Sequence, residues 1–442
     1  MQALIMAAQL ITGISILVIL HELGHFWAAR AFGIKVEKFY LFFDAWGKKL
    51  FSIKIGETEY GIGWLPLGGY VKIAGMIDES MDTEQMSKPA EPWEFRSKPA
   101  WQRLVVMVGG VVMNIVTGII IFSAIKFSYG EENLVNKSLT HGIAPSELAQ
   151  SYGFKKGDQL VAVNGQEIVH FNDALNSEIL LAKSAPSYTV KRNGVDTTIV
   201  FPANYLDHLS KSTRATLFMP RMEVFVKKVM PTTPAQEAGL QPNDHILMVD
   251  STPTICYDEF QPVLKSKAGK ATIITVVRGI DTLKLNAQVS KDSTIGFYPF
   301  DMTWTVDTTK YSLLQAIPAG FNEAYQTIYN QIAGWGKIFN GDIAVNKAVQ
   351  GPIGIAKFYG ATWDWLNFWL MTALISLGLA FMNILPIPAL DGGHVVLLII
   401  EMITGKPIST KAMERIQTVG MVILLSLMVF IFGNDIISLF IK

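Results

Sequence analysis

Hydrophobic residues are concentrated near the two ends of this chain, in long runs that contain few charged side chains. A run of about twenty apolar residues is long enough for a helix to cross a bilayer. The first run lacks the basic region and small-residue cleavage site of a signal peptide, so we expect a retained helix. The pattern predicts four membrane-spanning helices: Leu4 to about Trp27, Leu104 to Phe127, Leu366 to about Leu390, and Ile416 to about Phe432.

A shorter apolar stretch after the first predicted span has the alternation of a β-strand. Phe51 to Ile55 alternates, Gly56 to Glu59 is typical of a turn, and Tyr60 to Ile73 continues in an extended, glycine-rich pattern. The stretch is too broken to cross a membrane. We therefore predict a β-hairpin over about residues 50–74 that enters a protein-lined cavity, where irregular backbone is tolerated at membrane depth.

The long segment between the second and third spans contains an internal repeat. Gly153 to Gly165 aligns without gaps with Gly239 to Ser251, and Thr189 to Arg192 aligns with Thr275 to Arg278 in the same register. A constant offset predicts two duplicated domains of about eighty residues, each with short strands, a turn, a helix and a closing hairpin.

After the repeat, Tyr311 to Phe339 alternates apolar and polar residues at helical spacing. Two locations fit this pattern equally, a helix on the outer membrane surface and a solvated connector helix. The predicted organisation is one half of a membrane core over 1–127, two repeats over 128–218 and 219–300, an amphipathic connector over 301–365, and the second half of the core over 366–442.

Charge indicates the orientation of the spans and excludes one class of partner. The formal net charge is zero, which does not suit a nucleic-acid partner, and the single cysteine, Cys256, has no second cysteine to pair with. Lys and Arg near span ends favour the cytoplasmic side. We therefore expect both termini and the segment over about 128–365 to be extracytoplasmic. The basic residues that mark the two cytoplasmic loops are Arg30, Lys35, Lys38, Lys48, Lys49, Lys54, Lys98 and Arg103, and Lys406, Lys411 and Arg415.

The strongest chemical signal is His21-Glu22-Leu23-Gly24-His25, at the inner end of the first span. Two imidazoles four residues apart on a helix lie on one face and can bind one zinc ion. Glu22 is placed to take a proton from a metal-bound water. Ionisable groups within a membrane helix are costly and are rarely kept without a function. The pattern predicts a zinc peptidase site inside the membrane.

A catalytic zinc usually has three protein ligands and an open position. The third span ends in Asn383-Ile384-Leu385-Pro386-Ile387-Pro388-Ala389-Leu390-Asp391-Gly392-Gly393-His394, which brings Asp391 to the same predicted side as His25. Its prolines and glycines interrupt the helix and allow Asp391 to turn inward. We predict Asp391 as the third ligand, with His394 as a competing candidate.

These motifs, in this order, resemble the site-2 protease family, and in particular its bacterial RseP-type branch. The resemblance covers nearly the whole chain. The repeats resemble bacterial PDZ domains, which have a helix, Gly-Leu-x-Pro-Gly-Asp, a strand and Asn-Gly. The second repeat departs from this pattern at Asn243 and at Asp250-Ser251, which leaves its turn geometry open. The implied fold is a polytopic α-helical membrane protein of four transmembrane helices, with a membrane-associated β-hairpin and two α+β PDZ-like domains.

The resemblance implies a Zn²⁺-dependent intramembrane protease that carries out regulated intramembrane proteolysis in the bacterial inner (cytoplasmic) membrane. Its substrates would be single-span membrane proteins, such as anti-sigma factors or remnant signal peptides, often first trimmed by a site-1 type protease. The family's zinc ligands carry over to His21, His25 and Asp391, and its catalytic Glu to Glu22. The substrate-binding positions that carry over are Asn383, Tyr60, Gly61, Ile62, Gly63, Gly68, Gly69 and Tyr70.

Other functions remain open at this stage. A zinc-binding membrane scaffold would use the PDZ-like domains to gather partners without cutting a bond, and a tethered soluble peptidase would carry its motif on a solvent-facing helix. The PDZ-like domains could bind extended peptides or act only as a size filter. Asn114, in Gly-Gly-Val-Val-Met-Asn on the second span, resembles a polar core position of the family, although a helix-packing role is favoured.

Overall fold

The computed structural model describes residues 2–76, 89–182, 184–211, 217–300, 303–341 and 351–440. Two compact units are present. The membrane unit combines the chain up to Gly130 with Lys310–Phe339 and the C-terminal part, and the repeat unit is formed by Glu131–Thr309.

The helices and strands follow in chain order. The helices are α1 (Gln2–Ala31), α2 (Ala100–Tyr129), α3 (Glu147–Ser151), α4 (Ser177–Leu180), α5 (Tyr205–Lys211), α6 (Pro234–Glu237), α7 (Tyr257–Ser266), α8 (Leu313–Phe339), α9 (Pro352–Tyr359), α10 (Trp365–Ile384), α11 (Asp391–Thr404) and α12 (Thr410–Phe440). The strands are β1 (Val36–Phe43), β2 (Lys49–Ile55), β3 (Thr58–Gly63), β4 (Leu65–Ile73), β5 (Glu131–Leu134), β6 (Ile143–Pro145), β7 (Gln159–Val163), β8 (Gln166–Glu167), β9 (Ser187–Arg192), β10 (Val195–Val200), β11 (Phe218–Pro220), β12 (Phe225–Val229), β13 (His245–Val249), β14 (Thr252–Pro253), β15 (Ala271–Arg278), β16 (Asp281–Gln288), β17 (Phe297–Phe300) and β18 (Val306–Thr309).

Within the described part of the chain, four helices are long and apolar enough to cross a membrane: α1, α2, α10 and the Lys411–Gly433 part of α12. They confirm the four predicted spans. The third span ends at Ile384, earlier than the predicted Leu390. Pro386 and Pro388 explain the difference, because proline lacks a backbone N–H and disfavours helical geometry in the residue before it. The chain turns there, and a separate helix, α11, begins at Asp391.

The predicted hairpin is part of a larger sheet in the membrane unit. Strands β2 and β3 form the expected pair around Gly56, whose φ of 61° suits a tight turn. Tyr60 to Ile73 is extended as predicted, but it is not one arm of a hairpin, because it divides at Trp64 into β3 and β4, on opposite sides of β1. The result is a four-stranded sheet of order β2-β3-β1-β4, with β3 parallel and β4 antiparallel to β1. Strand β1 was not predicted.

This sheet has one apolar and one polar face. Phe51 lies opposite Ile62, and Ile53 lies opposite Tyr60, so these four side chains share a face. Tyr60 contacts Phe26 of α1, which joins this face to the helices. The exposed apolar residues of β2 continue the same surface. The other face is hydrogen-bonded, through Tyr40 and Lys49 to Glu59 and through Lys38 and Tyr70 to Asp44.

Helix α8 packs along two of the spans. Lys126 of α2 lies 3.3 Å from the carboxylate of Glu323, and the ring centroid of Trp335 lies 6.3 Å from that of Phe381 in α10. Small residues on this side, such as Ala316 and Ala324, are buried. Neither predicted location of this helix included contact with α2 and α10, which its face of small residues allows.

Both copies of the internal repeat form antiparallel sheets in the repeat unit, of order β10-β9-β7-β8 and β16-β15-β13-β12-β17. The same ion pair recurs in each copy. Arg192 donates two hydrogen bonds to buried Asp158 and one to the carbonyl of Gly153. Arg278 does the same with Asp244 and Gly239. The matched geometry confirms that the sequence repeat is a structural repeat.

The second repeat keeps the left-handed backbone of the first at two of its three departures, but Ser251 lacks the positive φ of Gly165, which is 80°. Asn243 has φ 71° where Gly157 has φ 84°, and asparagine tolerates this left-handed region. Asp250 has φ 53°, close to 50° at Asn164. Asp250 Oδ1 accepts a hydrogen bond from the Ile273 N–H, just as the side chain of Asn164 accepts one from Ser187. Asp250 therefore takes the conformation and the hydrogen bond of Asn164, although the turn differs at the next residue.

Candidate active site

The two histidines of the first-span motif face the same point. His21 and His25 lie one turn apart on α1, and their Nε2 atoms are 3.2 Å from each other. The rings are in an edge arrangement with centroids 4.8 Å apart. His25 is buried and His21 is partly buried. Helical spacing alone therefore brings two imidazole nitrogens together inside the protein, as the sequence predicts.

Asp391 completes a three-residue cluster with these histidines. Its Oδ2 lies 3.3 Å from Nε2 of His21 and 3.3 Å from Nε2 of His25. Tetrahedral zinc with bonds of about 2.0 to 2.2 Å holds its ligand atoms about 3.4 Å from each other, so the three atoms fit one ion. Asp391 Oδ2 is also buried, with no hydrogen-bond partner among the described residues. Over the described ranges, this is the only group of three candidate ligands that fits a metal.

The break after the third span positions Asp391. The carboxylate belongs to the first turn of α11, directly after the proline-containing turn. Gly393 makes this turn possible, because a Cβ there would lie 2.6 Å from the carbonyl oxygen of Ile387. His394 points elsewhere, with its Nε2 2.9 Å from the side-chain amide of Gln417 in α12. Asp391, and not His394, therefore joins the two histidines.

Two adjacent glycines let α2 pass close to the motif. A Cβ on Gly109 would lie 2.6 Å from the carbonyl oxygen of Gly24, and a Cβ on Gly110 would lie 2.5 Å from Cε1 of His21. Both distances are shorter than real Cβ contacts. In the sequence, this Gly-Gly pair is only the setting of Asn114. In the structure, it is required for the contact between α1 and α2 at the cluster.

Each histidine has a partner on α2 behind its ring. His25 Nδ1 lies 2.9 Å from the backbone carbonyl of Val106. A carbonyl only accepts, so Nδ1 carries the proton and Nε2 has a free lone pair. His21 Nδ1 lies 3.1 Å from the side-chain amide of Asn114. Asn114 thus contacts a candidate ligand, whereas its sequence context favours a helix-packing role.

Glu22 and Asn383 also lie at the cluster. Glu22 is close to His21, His25 and Asp391, and it contacts the backbone of Val71 in β4. The amide nitrogen of Asn383 is 3.4 Å from Nε2 of His21. The structure therefore brings the predicted base and the predicted substrate-positioning amide to the same centre.

The predicted hairpin residues divide into two groups. Gly68, Gly69 and Tyr70 lie in β4, the strand at the sheet end that contains Val71. Gly69 lies close to Val18 of α1, where a Cβ would be 2.6 Å from its side chain. The other residues lie in β3, which is paired on both sides by β2 and β1. The residues of this second group, which the structure does not bring to the centre, are Tyr60, Gly61, Ile62 and Gly63.

The chain is similar over almost its whole length to known proteases. Residues 9–427 match peptidase family M50. It is 31% identical over 450 residues to the regulator of sigma E protease of Haemophilus influenzae, covering 97% of this chain and 98% of the relative. It is 30% identical over 456 residues to the regulator of sigma-E protease RseP of Escherichia coli, covering 97% of both chains. Relatives from Xylella fastidiosa and Clostridium perfringens, 28% and 29% identical over 97% and 96% of this chain and 98% and 96% of their own length, are named as zinc metalloproteases.

These similarities agree with the ligand geometry and with the resemblance noted from the motifs. The zinc-dependent chemistry expected from His21, Glu22 and His25 is the chemistry named for the relatives. The match covers most of the four-span chain, so it is not confined to one motif. The chain belongs to peptidase family M50 and is a zinc metalloprotease.

Proposed function

We propose that this protease cuts single-span membrane proteins within their transmembrane segment. The observation that carries the proposal is the location of the ligand cluster: His21 and His25 belong to an apolar helix able to span a membrane. A tethered soluble peptidase would hold its motif on a solvent-facing helix. Here the helix continues on both sides of the motif, and α2 covers it through Gly109 and Gly110.

His21, His25 and Asp391 would hold the zinc. Bound there, zinc supplies Lewis-acid polarisation of the scissile carbonyl and lowers the pKa of water at the site. Glu22 takes the proton of the attacking water and passes it to the leaving amine. Asn383 donates a hydrogen bond that holds the substrate backbone in register. Its amide nitrogen lies 3.4 Å from Nε2 of His21, and this position at the cluster supports the role.

A transmembrane substrate must unfold locally, because a helix hides its peptide bonds. Strand β4 has β1 on one side and lies at the end of the sheet. Val71, a residue of β4, contacts Glu22 through its backbone. An extended substrate segment added along β4 would replace its lost helical hydrogen bonds with intermolecular ones. We assign this contact to Gly68, Gly69 and Tyr70, and not to the β3 residues.

The same proposal includes an inner-membrane location with the zinc site toward the cytoplasm. It rests on the Lys and Arg residues near the span ends. The two repeats, over 128–218 and 219–300, would be PDZ-like domains on the extracytoplasmic side. Substrates of the anti-sigma or remnant signal-peptide class, trimmed first by a site-1 type protease, agree with the sigma E regulators among the relatives.

The test is cleavage of a single-span model substrate by the purified chain in detergent. We expect cutting inside the apolar segment, loss of cutting with a zinc chelator, and loss in Glu22→Gln with zinc still bound. Glu57→Gln is the matched control, since Glu57 is exposed and pairs with Arg30. Full cleavage by zinc-loaded Glu22→Gln would contradict the mechanism.

The same assay separates the protease from a zinc-binding scaffold. A structural zinc site is closed by four protein ligands and has no use for a neighbouring base. The cluster here has three candidate ligands, with Glu22 beside them. The scaffold would be favoured if the chain bound one zinc ion and cleaved none of a panel of single-span substrates.

Excising the repeat unit tests whether it recognises substrates or filters them by size. Glu131 and Thr309 are paired residues of β5 and β18, so the ends of the unit are adjacent and a short Gly-Ser linker can join them. Lost cleavage of a trimmed substrate would indicate recognition. Gained cleavage of an untrimmed substrate would indicate a filter.

A further inference from the structure

Asn114 is a buried amide in the second span, and its side chain touches a zinc ligand. The residue is fully buried, and its Nδ2 lies 3.1 Å from Nδ1 of His21. Its Oδ1 is buried too, with no hydrogen-bond partner among the described residues. An unsatisfied amide oxygen is costly inside a membrane, so its retention calls for a second state in which it is satisfied.

Helix packing does not account for this side chain. The hydrogen bond between α2 and α10 at this level runs from Ser376 Oγ to the backbone carbonyl of Asn114, at 2.8 Å. A backbone acceptor is present whatever the side chain at position 114. The contact of the side chain itself is with His21.

The side-chain amide of Asn114 can present either its nitrogen or its oxygen to Nδ1 of His21. With the nitrogen there, an N–H of Asn114 donates to Nδ1, and the proton of a neutral ring is on Nε2, the atom that faces His25 and Asp391. A histidine that binds metal through Nε2 has its proton on Nδ1, and that N–H needs an acceptor. A half turn of the Asn114 amide places Oδ1 there, because the two ends of an amide are nearly equal in size.

We propose that Asn114 is a positioning residue for the zinc site, whose Oδ1 accepts the Nδ1–H of His21 when the metal is bound. It orients His21 in the way that the Val106 carbonyl orients His25. Both histidines are then held from α2, one by a backbone carbonyl and one by a side chain. This inference rests on the proposed role of His21 as a zinc ligand.

The test measures metal affinity of the full-length chain in detergent. Metal-free protein is titrated with Zn²⁺ against a chromophoric chelator, and with Co²⁺ to record its visible spectrum. Asn114→Leu keeps the size and removes the acceptor, so zinc affinity should fall about 10- to 100-fold, as for other partners of ligand histidines. Asn114→Asp keeps an acceptor and should retain wild-type affinity. Ser376→Ala is the matched control and should leave affinity unchanged.

The Tm of the Asn114 variants distinguishes a positioning role of Asn114 from a packing role. If Asn114 only packs, Asn114→Leu lowers the Tm of the metal-free protein. If it positions His21, the metal-free Tm is maintained, and only the increase on adding zinc becomes smaller. Wild-type zinc affinity in Asn114→Leu, or an Asn114→Asp variant as weak as Asn114→Leu, would overturn the inference.

One measurement needs no variant at position 114, in case Asn114→Leu does not fold. In zinc-loaded wild-type protein with ¹⁵N-labelled histidine, His21 should show a hydrogen-bonded proton on Nδ1. A proton on Nε2 of His21, with zinc bound elsewhere, would overturn the inference. A wild-type chain that binds no zinc at all would instead refute the proposed function, which keeps the two failures distinct.

Discussion

Gly110 of α2 faces both candidate histidine ligands. Its missing side chain leaves the space that the rings of His21 and His25 occupy, and a Cβ would meet both. The rings cannot move back, since Val106 and Asn114 lie behind them.

We therefore expect Gly110→Ala to reduce zinc affinity by about tenfold or more, because a ligand displaced by a few tenths of an ångström loses its bonding geometry. Chelator competition measures the change. Gly334→Ala in α8 is the control, since a Cβ there meets nothing within 4 Å. Unchanged affinity in Gly110→Ala would mean that the rings lie farther from α2.

Asp250 in the second repeat carries the clearest pH dependence in the repeat unit. Hydrogen bonds from the Ile273 N–H, Lys267 and Thr272 lower the pKa of its carboxyl to about 2. A carboxyl with a lowered pKa stabilises the fold above its ordinary value of 3.8 and loses that contribution as pH falls toward 2. Asn164 accepts the corresponding hydrogen bond in the first repeat without a charge.

We expect Asp250→Asn to lower the Tm slightly at neutral pH, because the pair with Lys267 is lost, and to flatten the fall in Tm between about pH 4 and pH 2. Thermal unfolding followed by circular dichroism measures both, with the exposed Asp281→Asn as control. An acid-induced fall as steep as that of the wild type would show that Asp250 is not the group responsible.

At the scale of elements, the proline-containing turn after α10 decides where Asp391 lies. Pro386 and Pro388 end the third span at Ile384 and let α11 begin at the ligand itself. Replacing both prolines with alanine would allow the helix to continue past Ile384 and carry Asp391 away from the histidines. We expect at least a tenfold loss of zinc affinity, with little change in helix content.

The matched control for this change is Pro318→Ala. Pro318 lies inside α8, so this substitution also removes a proline from an apolar helix but leaves the cluster intact. A double variant that binds zinc as tightly as Pro318→Ala would show that packing, and not the proline turn, positions Asp391.

The elements differ in how far the sequence predicts them. The spans follow from the length of hydrophobic runs, and the repeats follow from the similarity of two segments at a constant offset, so both can be read from the sequence without tertiary contacts. The sheet of β1 to β4 does not follow from local pattern. Its crossover places β3 and β4 on opposite sides of β1, and strand pairing depends on contacts between distant residues. Helix α8 has a surface-helix pattern, yet it packs on two spans through its small residues.

At the scale of the whole molecule, orientation in the membrane remains a prediction that labelling can check. The single cysteine, Cys256, is buried, and burial raises the pKa of its thiol to about 11, so the wild-type background should be unreactive. Ile280 is 99% exposed in the repeat unit, and Trp46 is 83% exposed in the predicted cytoplasmic loop.

With a membrane-impermeant maleimide on intact spheroplasts, we expect Ile280→Cys to be labelled and Trp46→Cys to be protected until the membrane is permeabilised. The expectation rests on the excess of Lys and Arg in the loops assigned to the cytoplasm. Labelling in the opposite order would reverse the proposed location of the zinc site.

The sequence by itself determined the four spans, the repeat, the zinc-peptidase motif and the choice of Asp391 as a candidate, because each depends on spacing along one helix or on local composition. Only the tertiary structure decided between Asp391 and His394, separated the β4 residues from those of β3, and placed Asn114 on His21. These depend on distances between segments as far apart as residues 21 and 391. Such distances are set by helix contacts through glycines and by a proline turn, and local pattern does not encode them.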